Sequence, residues 1–282
     1  MTNTTMSYFP DKNCSNPDNE EDARALDLPN LNYIFLRYVP MVKFPDMSQM
    51  PRMEYISVSN TLIADIPREL LKDKGHLETL VLAFNKLSEP PNISGSCGKL
   101  VHLGLQHNKI TSIEEDYFEG CQITKISLYK NNLTRFPNFL PLGDSVENIQ
   151  LQWNQISGII TNDMVNDLHN VTNFRLDDND LQGFDASFCQ VSKRVQIKVI
   201  RNHNLTIFEN PYRLCPSLLD TFHKKPKMIL HATNIPCDHH CCWMKKFASK
   251  LTININDCPD GRKWPEVDEV DLCPHGKPLL LL

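Results

Sequence analysis

Leu77-Glu-Thr-Leu80-Val-Leu82-Ala-Phe-Asn85-Lys-Leu87 carries apolar residues at its first, fourth, sixth and eleventh places and asparagine at its ninth. The same template returns from Leu100 with Leu103, Leu105, Asn108 and Ile110, and from Ile123 with Ile126, Leu128, Asn131 and Leu133. It returns again from Val146 with Ile149, Leu151, Asn154 and Ile156, and from Val171 with Phe174, Leu176, Asn179 and Leu181. Weaker copies flank these. Leu31, Ile34, Leu36 and Met41 have Val39 in the asparagine slot, Met53, Ile56, Val58 and Ile63 have Thr61, and Val195, Ile200 and Leu205 have His203. Successive starts at 31, 53, 77, 100, 123, 146, 171 and 195 lie 22 to 25 residues apart, and a fixed period of that length marks a stacked repeat.

Each residue type in the template has a mechanical reason. The fourth and sixth places alternate with period two, so both point to one side of a short strand while the residues between them point away. One copy cannot cover its own apolar side; neighbours stack at about 4.8 Å into a parallel sheet over a shared core. The tight turn after each strand leaves backbone groups without ladder partners, and an inward asparagine amide has the donors and acceptor to satisfy them.

The template resembles that of the leucine-rich repeat family, L-x-x-L-x-L-x-x-N-x-L, from Leu31 to Leu205. The resemblance implies an α/β solenoid of horseshoe form over residues 31–233, with about eight to nine repeats. Its concave face would be a parallel sheet and its convex side irregular or short-helical. Ile110-Thr-Ser-Ile113 through Phe118 reads as the common extracellular return, whereas Pro67, Pro90-Pro91 and Pro137 point to extended or turn-like returns elsewhere.

Asn234-Ile-Pro-Cys237-Asp-His-His-Cys241-Cys242-Trp243-Met244, with Cys258 and Cys273, is similar to the cysteine-rich C-terminal cap of extracellular members of that family. The cap is placed at 234–274 and a tail at 275–282. By the same resemblance Cys237 would pair with Cys258, and Cys241 or Cys242 with Cys273. The family's N-terminal cap usually has four cysteines, and only Cys14 precedes these repeats, so residues 1–30 are a polar segment with an incomplete cap. Zinc at the His239, His240, Cys241 and Cys242 cluster is the alternative, disfavoured because the second arm, Cys258 and Cys273, is spread over fifteen residues. No metal or cofactor is expected. Cys97 and Cys121 fall on the return side of successive copies, close enough for a disulfide, and Cys189 and Cys215 are similarly related. An odd thiol at Cys14 or in the cap would allow a disulfide-linked homodimer.

Ten cysteines and six Asn-x-Ser/Thr sequons, at Asn3, Asn13, Asn92, Asn132, Asn170 and Asn204, point to an oxidising, extracellular setting. The first nineteen residues lack the apolar stretch of a secretion signal, so either that signal has been removed or the protein stays inside the cell. The longest purely apolar run is Leu279–Leu282, and any membrane attachment is expected through a segment outside this chain. A net charge of −5 with no basic block argues against nucleic acid. No nucleophile elbow, phosphate loop or zinc-protease motif is present, so no enzyme is expected.

Function is therefore expected on the concave face, at residues the core does not fix. The candidates there are Tyr33, Arg37, Tyr55, Phe84, His102, His107, Lys125, Tyr129, Lys130, Gln152, Trp153, Arg175, Asp177 and Asp178, rich in the residue types that anchor interfaces. Phe84 and Trp153, where strand passes into turn, are equally expected to pack on neighbouring copies. Tyr129 and Arg175 are expected to be replaceable by alanine without loss of stability. The reading is a receptor ectodomain, adhesion or innate-recognition module binding a protein or other macromolecule; a non-catalytic subunit of a secreted complex and an intracellular scaffold are the alternatives.

Overall fold

The computed structural model describes the backbone of residues 5–8, 30–185, 195–205, 207–208, 228–232, 252–255, 258 and 261–267. Side chains are described over 30–183 and 195–205, and at 258, 261–264, 266 and 267. The chain forms two compact units, Met1–Leu133 and Thr134–Leu282.

In the first unit, strands β1 (Thr5–Tyr8), β2 (Tyr33–Arg37), β3 (Tyr55–Ser59), β4 (Thr79–Val81), β5 (His102–Gly104) and β6 (Lys125–Ser127) pair in chain order, all parallel. Register follows the repeat: Ile34 pairs with Ile56, Ile56 with Leu80, Leu80 with Leu103 and Leu103 with Ile126. These fourth-place residues form one buried column, and the sixth-place Leu36, Val58, Leu82, Leu105 and Leu128 form a second beside it. The leucines and isoleucines are thus spent on a continuous core that no single copy could make.

The asparagines hold the turns. Asn108 Nδ2 donates to Leu105 O in its own copy and to Leu82 O in the preceding one, both at 2.9 Å, while its Oδ1 accepts the Leu87 amide at 3.1 Å. Asn131 repeats this one copy on, donating to Leu105 O and Leu128 O and accepting from Ile110 N. Asn85 does the same to Val58 O and Leu82 O, and its Oδ1 accepts from the Thr61 amide and hydroxyl. Just before the asparagine slot, Tyr38, Asn60, Phe84, His107 and Lys130 all adopt positive φ, between 54° and 60°. That conformation is uncommon for residues with a side chain, and its recurrence at one template place shows that the turn imposes it.

On the return side of this unit, Cys97 and Cys121 are disulfide-bonded, as their placement in successive copies led one to expect. Pro67 opens a 3₁₀ turn, Arg68–Leu71, that buries Leu71. A Cβ on Gly95 would lie 1.6 Å from the Lys72 carbonyl oxygen, so adjacent returns touch through backbone there and only glycine fits.

In the second unit, β7 (Asn148–Gln150), β9 (Asn173–Arg175), β11 (Val195–Val199), β13 (Met228–Ala232) and β14 (Thr252–Ile255) make a parallel sheet in that order. A second parallel sheet joins the return-side strands β8 (Ser157–Thr161), β10 (Asp180–Asp185) and β12 (Ile207–Phe208). Among the described residues the helical elements are short 3₁₀ turns, here Leu140–Leu142, Asn162–Met164 and Trp264–Glu266. Strand β1 lies within the segment read as polar and β14 within the stretch read as cap.

One repeat sits a residue earlier than its sequence pattern suggested. Ile197, not Lys198, pairs with the fourth-place Phe174, and Val195, Ile197 and Val199 are buried while Ile200 is half-exposed. Asn202, fully buried, fills the asparagine slot: it donates to Leu176 O and Val199 O and accepts from Leu181 N, whereas His203 is exposed. Arg201, at φ 56°, marks the turn place. A one-residue slip exchanges the faces of a strand, and the alternating run Val195-Gln-Ile-Lys-Val199 decides which face is inward.

Cys258 is buried and disulfide-bonded. Cys14, Cys189, Cys215, Cys237, Cys241, Cys242 and Cys273, and the sequons at Asn3 and Asn13, lie outside the described residues.

The register can be checked directly. Asn202→Ala leaves two buried carbonyls and one amide without their partner, at about 1–3 kcal/mol for each orphaned group before relaxation. His203→Ala should stay within about 0.5 kcal/mol of the parent. Urea unfolding that ranks the two the other way would restore the later register.

Candidate binding face

The first unit's outward strand surface consists of third-, fifth-, seventh- and eighth-place side chains. Its middle is low: Ser57, Ser59, Ala83 and Gly104 are buried between larger neighbours. Tall side chains stand on either side. Tyr33 and Tyr55 stack at 6.3 Å on the third-place side, and the Tyr33 hydroxyl donates to Glu54 Oε2 at 2.8 Å. That hydrogen bond, followed by burial, holds the Tyr33 phenol above its ordinary pKa. His102 and Lys125 continue this side, and burial, then the charge of Lys125, pushes the His102 imidazole pKa down.

The turn side carries a second aromatic group. Phe84 lies flat on His107, with ring centroids 3.9 Å apart and planes within 16°, and Tyr129 meets His107 edge-on at 5.2 Å. Phe84 therefore packs on its neighbour, as one reading of the sequence held, and still leaves 42% of its surface exposed. Burial, then Lys130, lowers the His107 pKa, so the imidazole is neutral near pH 7. Arg37 lies over the Tyr38 ring at 4.9 Å. The aromatics are thus braced by each other and by single polar contacts, which fixes them before any partner arrives.

The second unit's face is built differently. Gln152 and Asp177 were expected outward, but are only 3% and 2% exposed. Both are seventh-place residues next to the turn, where the chain begins to bend inward, and Asp177 Oδ1 accepts the Ile200 amide at 3.2 Å. Arg175 is held within the face: its Nη2 is 2.9 Å from Asp177 Oδ2 and its Nε donates to the same oxygen at 3.0 Å. Asp178 pairs with Arg201 one copy on. Asn148 accepts from Asn173 Nδ2 at 3.1 Å, and Trp153 is 40% exposed. The charged groups of this face pair with one another, while Gln152 Oε1 and Asn173 Oδ1 are buried without a hydrogen-bond partner. The pairing between the seventh and fifth places was invisible to a reading that placed every inter-leucine residue outward.

Among the sequons, Asn132 and Asn204 are exposed, each immediately before the buried apolar residue that follows the turn, Leu133 and Leu205. Asn92 and Asn170 are half-buried; Asn170 Nδ2 donates to Asp144 O at 2.7 Å. Among the described residues no cluster of histidine, cysteine and carboxylate side chains is arranged to hold a metal ion, and no helix is long and apolar enough to cross a membrane.

Comparison with known proteins gives the same architecture. No family model matches the chain. "Leucine-rich repeat-containing G-protein coupled receptor 5" of Rattus norvegicus is 26% identical over 155 residues, 54% of this chain and 16% of the receptor. Keratocan of Bos taurus is 27% identical over 200 residues, 69% of this chain and 50% of keratocan. The chain thus spans about a sixth and a half of those relatives' lengths. Among solved structures, the Toll–Spatzle complex of Drosophila aligns over 85% of this chain and 38% of its own, with TM-score 0.56 at 16% identity. The fold is a leucine-rich repeat solenoid.

Arg175 discriminates between the two views of the second unit's face. Arg175→Ala should lower stability by about 1–3 kcal/mol, because it leaves the buried Asp177 carboxylate without its cation. Thermal and urea unfolding unchanged by Arg175→Ala would mean that the pair contributes nothing and that Arg175 is an outward contact residue after all.

Proposed function

We propose that this chain is an extracellular recognition module that binds a protein through the outward strand face of its first unit, as part of a receptor or adhesion molecule. The observation that carries this reading is the braced set of half-exposed aromatics, Tyr33 and Tyr55 on their strands and Phe84 and Tyr129 just beyond theirs, over a sheet whose stability comes from the opposite side. Aromatic side chains held in one conformation bury large area at little entropic cost, which suits them to interface centres. A core of leucines does not need them there.

Other observations agree. The Cys97–Cys121 disulfide and the bonded Cys258 belong to an oxidising compartment. A receptor is among the similar proteins, and the Toll structure holds Toll with the protein Spatzle. The outer sheet surface has side chains spaced by the strand repeat of about 4.8 Å, a scale on which a protein surface can be read copy by copy.

The test is a screen of displayed ectodomains and secreted proteins against the purified chain, followed by affinity and stability measured together. Tyr55→Ala and Tyr129→Ala should each leave the melting temperature close to that of the parent and weaken binding, at least one of them by about 2 kcal/mol. A ligand that binds both variants and their double mutant with parental affinity would place the site elsewhere on the chain.

A further inference from the structure

Next to the exposed Phe84 ring lies an open depression of about 490 Å³, lined by Asn60, Phe84, Asn85, Lys86, His107, Asn108, Lys109 and Lys130. Three of these are lysines and none is a carboxylate, in a chain whose net charge is −5. Lys86 and Lys109 hold the same place, directly after the turn asparagine, in successive copies. Their backbone amides are pinned to Ile63 O and Leu87 O, so both side chains rise from ordered positions one repeat apart. Like charges side by side on neighbouring copies are unfavourable for folding. Neither lysine contributes to the buried columns.

We propose that this depression receives an acidic segment of a protein partner, its carboxylates on Lys86, Lys109 and Lys130 and an apolar side chain against the Phe84 ring. The proposal rests on the strand-face reading above and supplies the chemistry of the partner. Phe84 is held by its stack on His107, which presents a fixed apolar platform at the rim of a cationic site. In the preceding copy the place of Lys86 is taken by Leu62, 49% exposed, and in the following one that of Lys109 by Asn132. The cationic row therefore ends after two copies and borders exposed apolar surface. A long sulfated polysaccharide would want a continued basic track; a short acidic-apolar peptide fits the two-copy span.

The experiment is selection of a random peptide display library on the full chain, with the enriched peptides then synthesised and titrated by fluorescence anisotropy. Peptides rich in Asp and Glu with an aromatic or large aliphatic residue are expected. Their affinity should fall roughly tenfold or more in Lys86→Gln/Lys109→Gln and in Phe84→Ala, and should weaken with salt, while the variants' melting temperatures stay unchanged. Enriched peptides that lack acidic residues, or that ignore these changes yet respond to Tyr55→Ala or Tyr129→Ala, would overturn the proposal and leave the strand face as the site. A heparin-derived octasaccharide that binds and loses affinity in the lysine variants, when no acidic peptide does, would overturn it in favour of a sulfated glycan. No enrichment at all would count against both the proposal and the reading it rests on.

Discussion

The inward side chain in the slot after the strand, asparagine in most copies, is the interaction on which this architecture depends. A chain that turns sharply every 22 to 25 residues leaves carbonyl and amide groups at each turn that no strand ladder reaches. Where the slot holds asparagine, its amide closes that account by bonding its own copy and the one before it, as at Asn108, Asn131 and Asn202. The asparagines thus act as a second ladder beside the strands. Thr61, in the same slot earlier in the chain, donates its hydroxyl to Asn85 and so takes the ladder one copy further.

Because that ladder and the buried columns satisfy folding from one side, the opposite side of each sheet is left to serve other ends, and the two units use it differently. In the second unit, Arg175 with Asp177 and Arg201 with Asp178 neutralise each other within the face. In the first, aromatic rings brace aromatic rings and lysines line a depression without carboxylates. Preorganised apolar surface beside a row of like charges suits a binding face better than a merely structural one. This contrast, more than the repeat itself, directs attention to the first unit.

Much of this was legible in the residues. The five full copies gave strand positions, inward columns, the asparagine role and the Cys97–Cys121 proximity, since each follows from a periodic pattern that only one arrangement satisfies. The copy from Val195 has two candidate registers in sequence, because Ile200, His203 and Leu205 offer a partial match to the later one while the alternation of Val195, Ile197 and Val199 supports the earlier, true one. The burial of Gln152 and Asp177 is hidden in sequence because template position tells direction from a strand and does not tell how far the following turn folds back. The depression at Phe84 depends on Lys86 and Lys109, which follow the turn and lie outside the inter-leucine residues; no template position marked them. Their recurrence one repeat apart was the available signal.

The most direct test of the account is a stability scan of every residue from 31 to 133 by all substitutions, read as protease resistance of the displayed chain. The account predicts intolerance at the first, fourth and sixth places and at the asparagines of the ninth, recurring with the repeat, and tolerance at outward positions such as Tyr55, Phe84 and Lys130, proline and β-branched residues excepted where φ is positive. If those outward positions prove as intolerant as Leu103 and Asn108, the face is part of the folding scaffold, and the separation of stability from recognition claimed here is wrong.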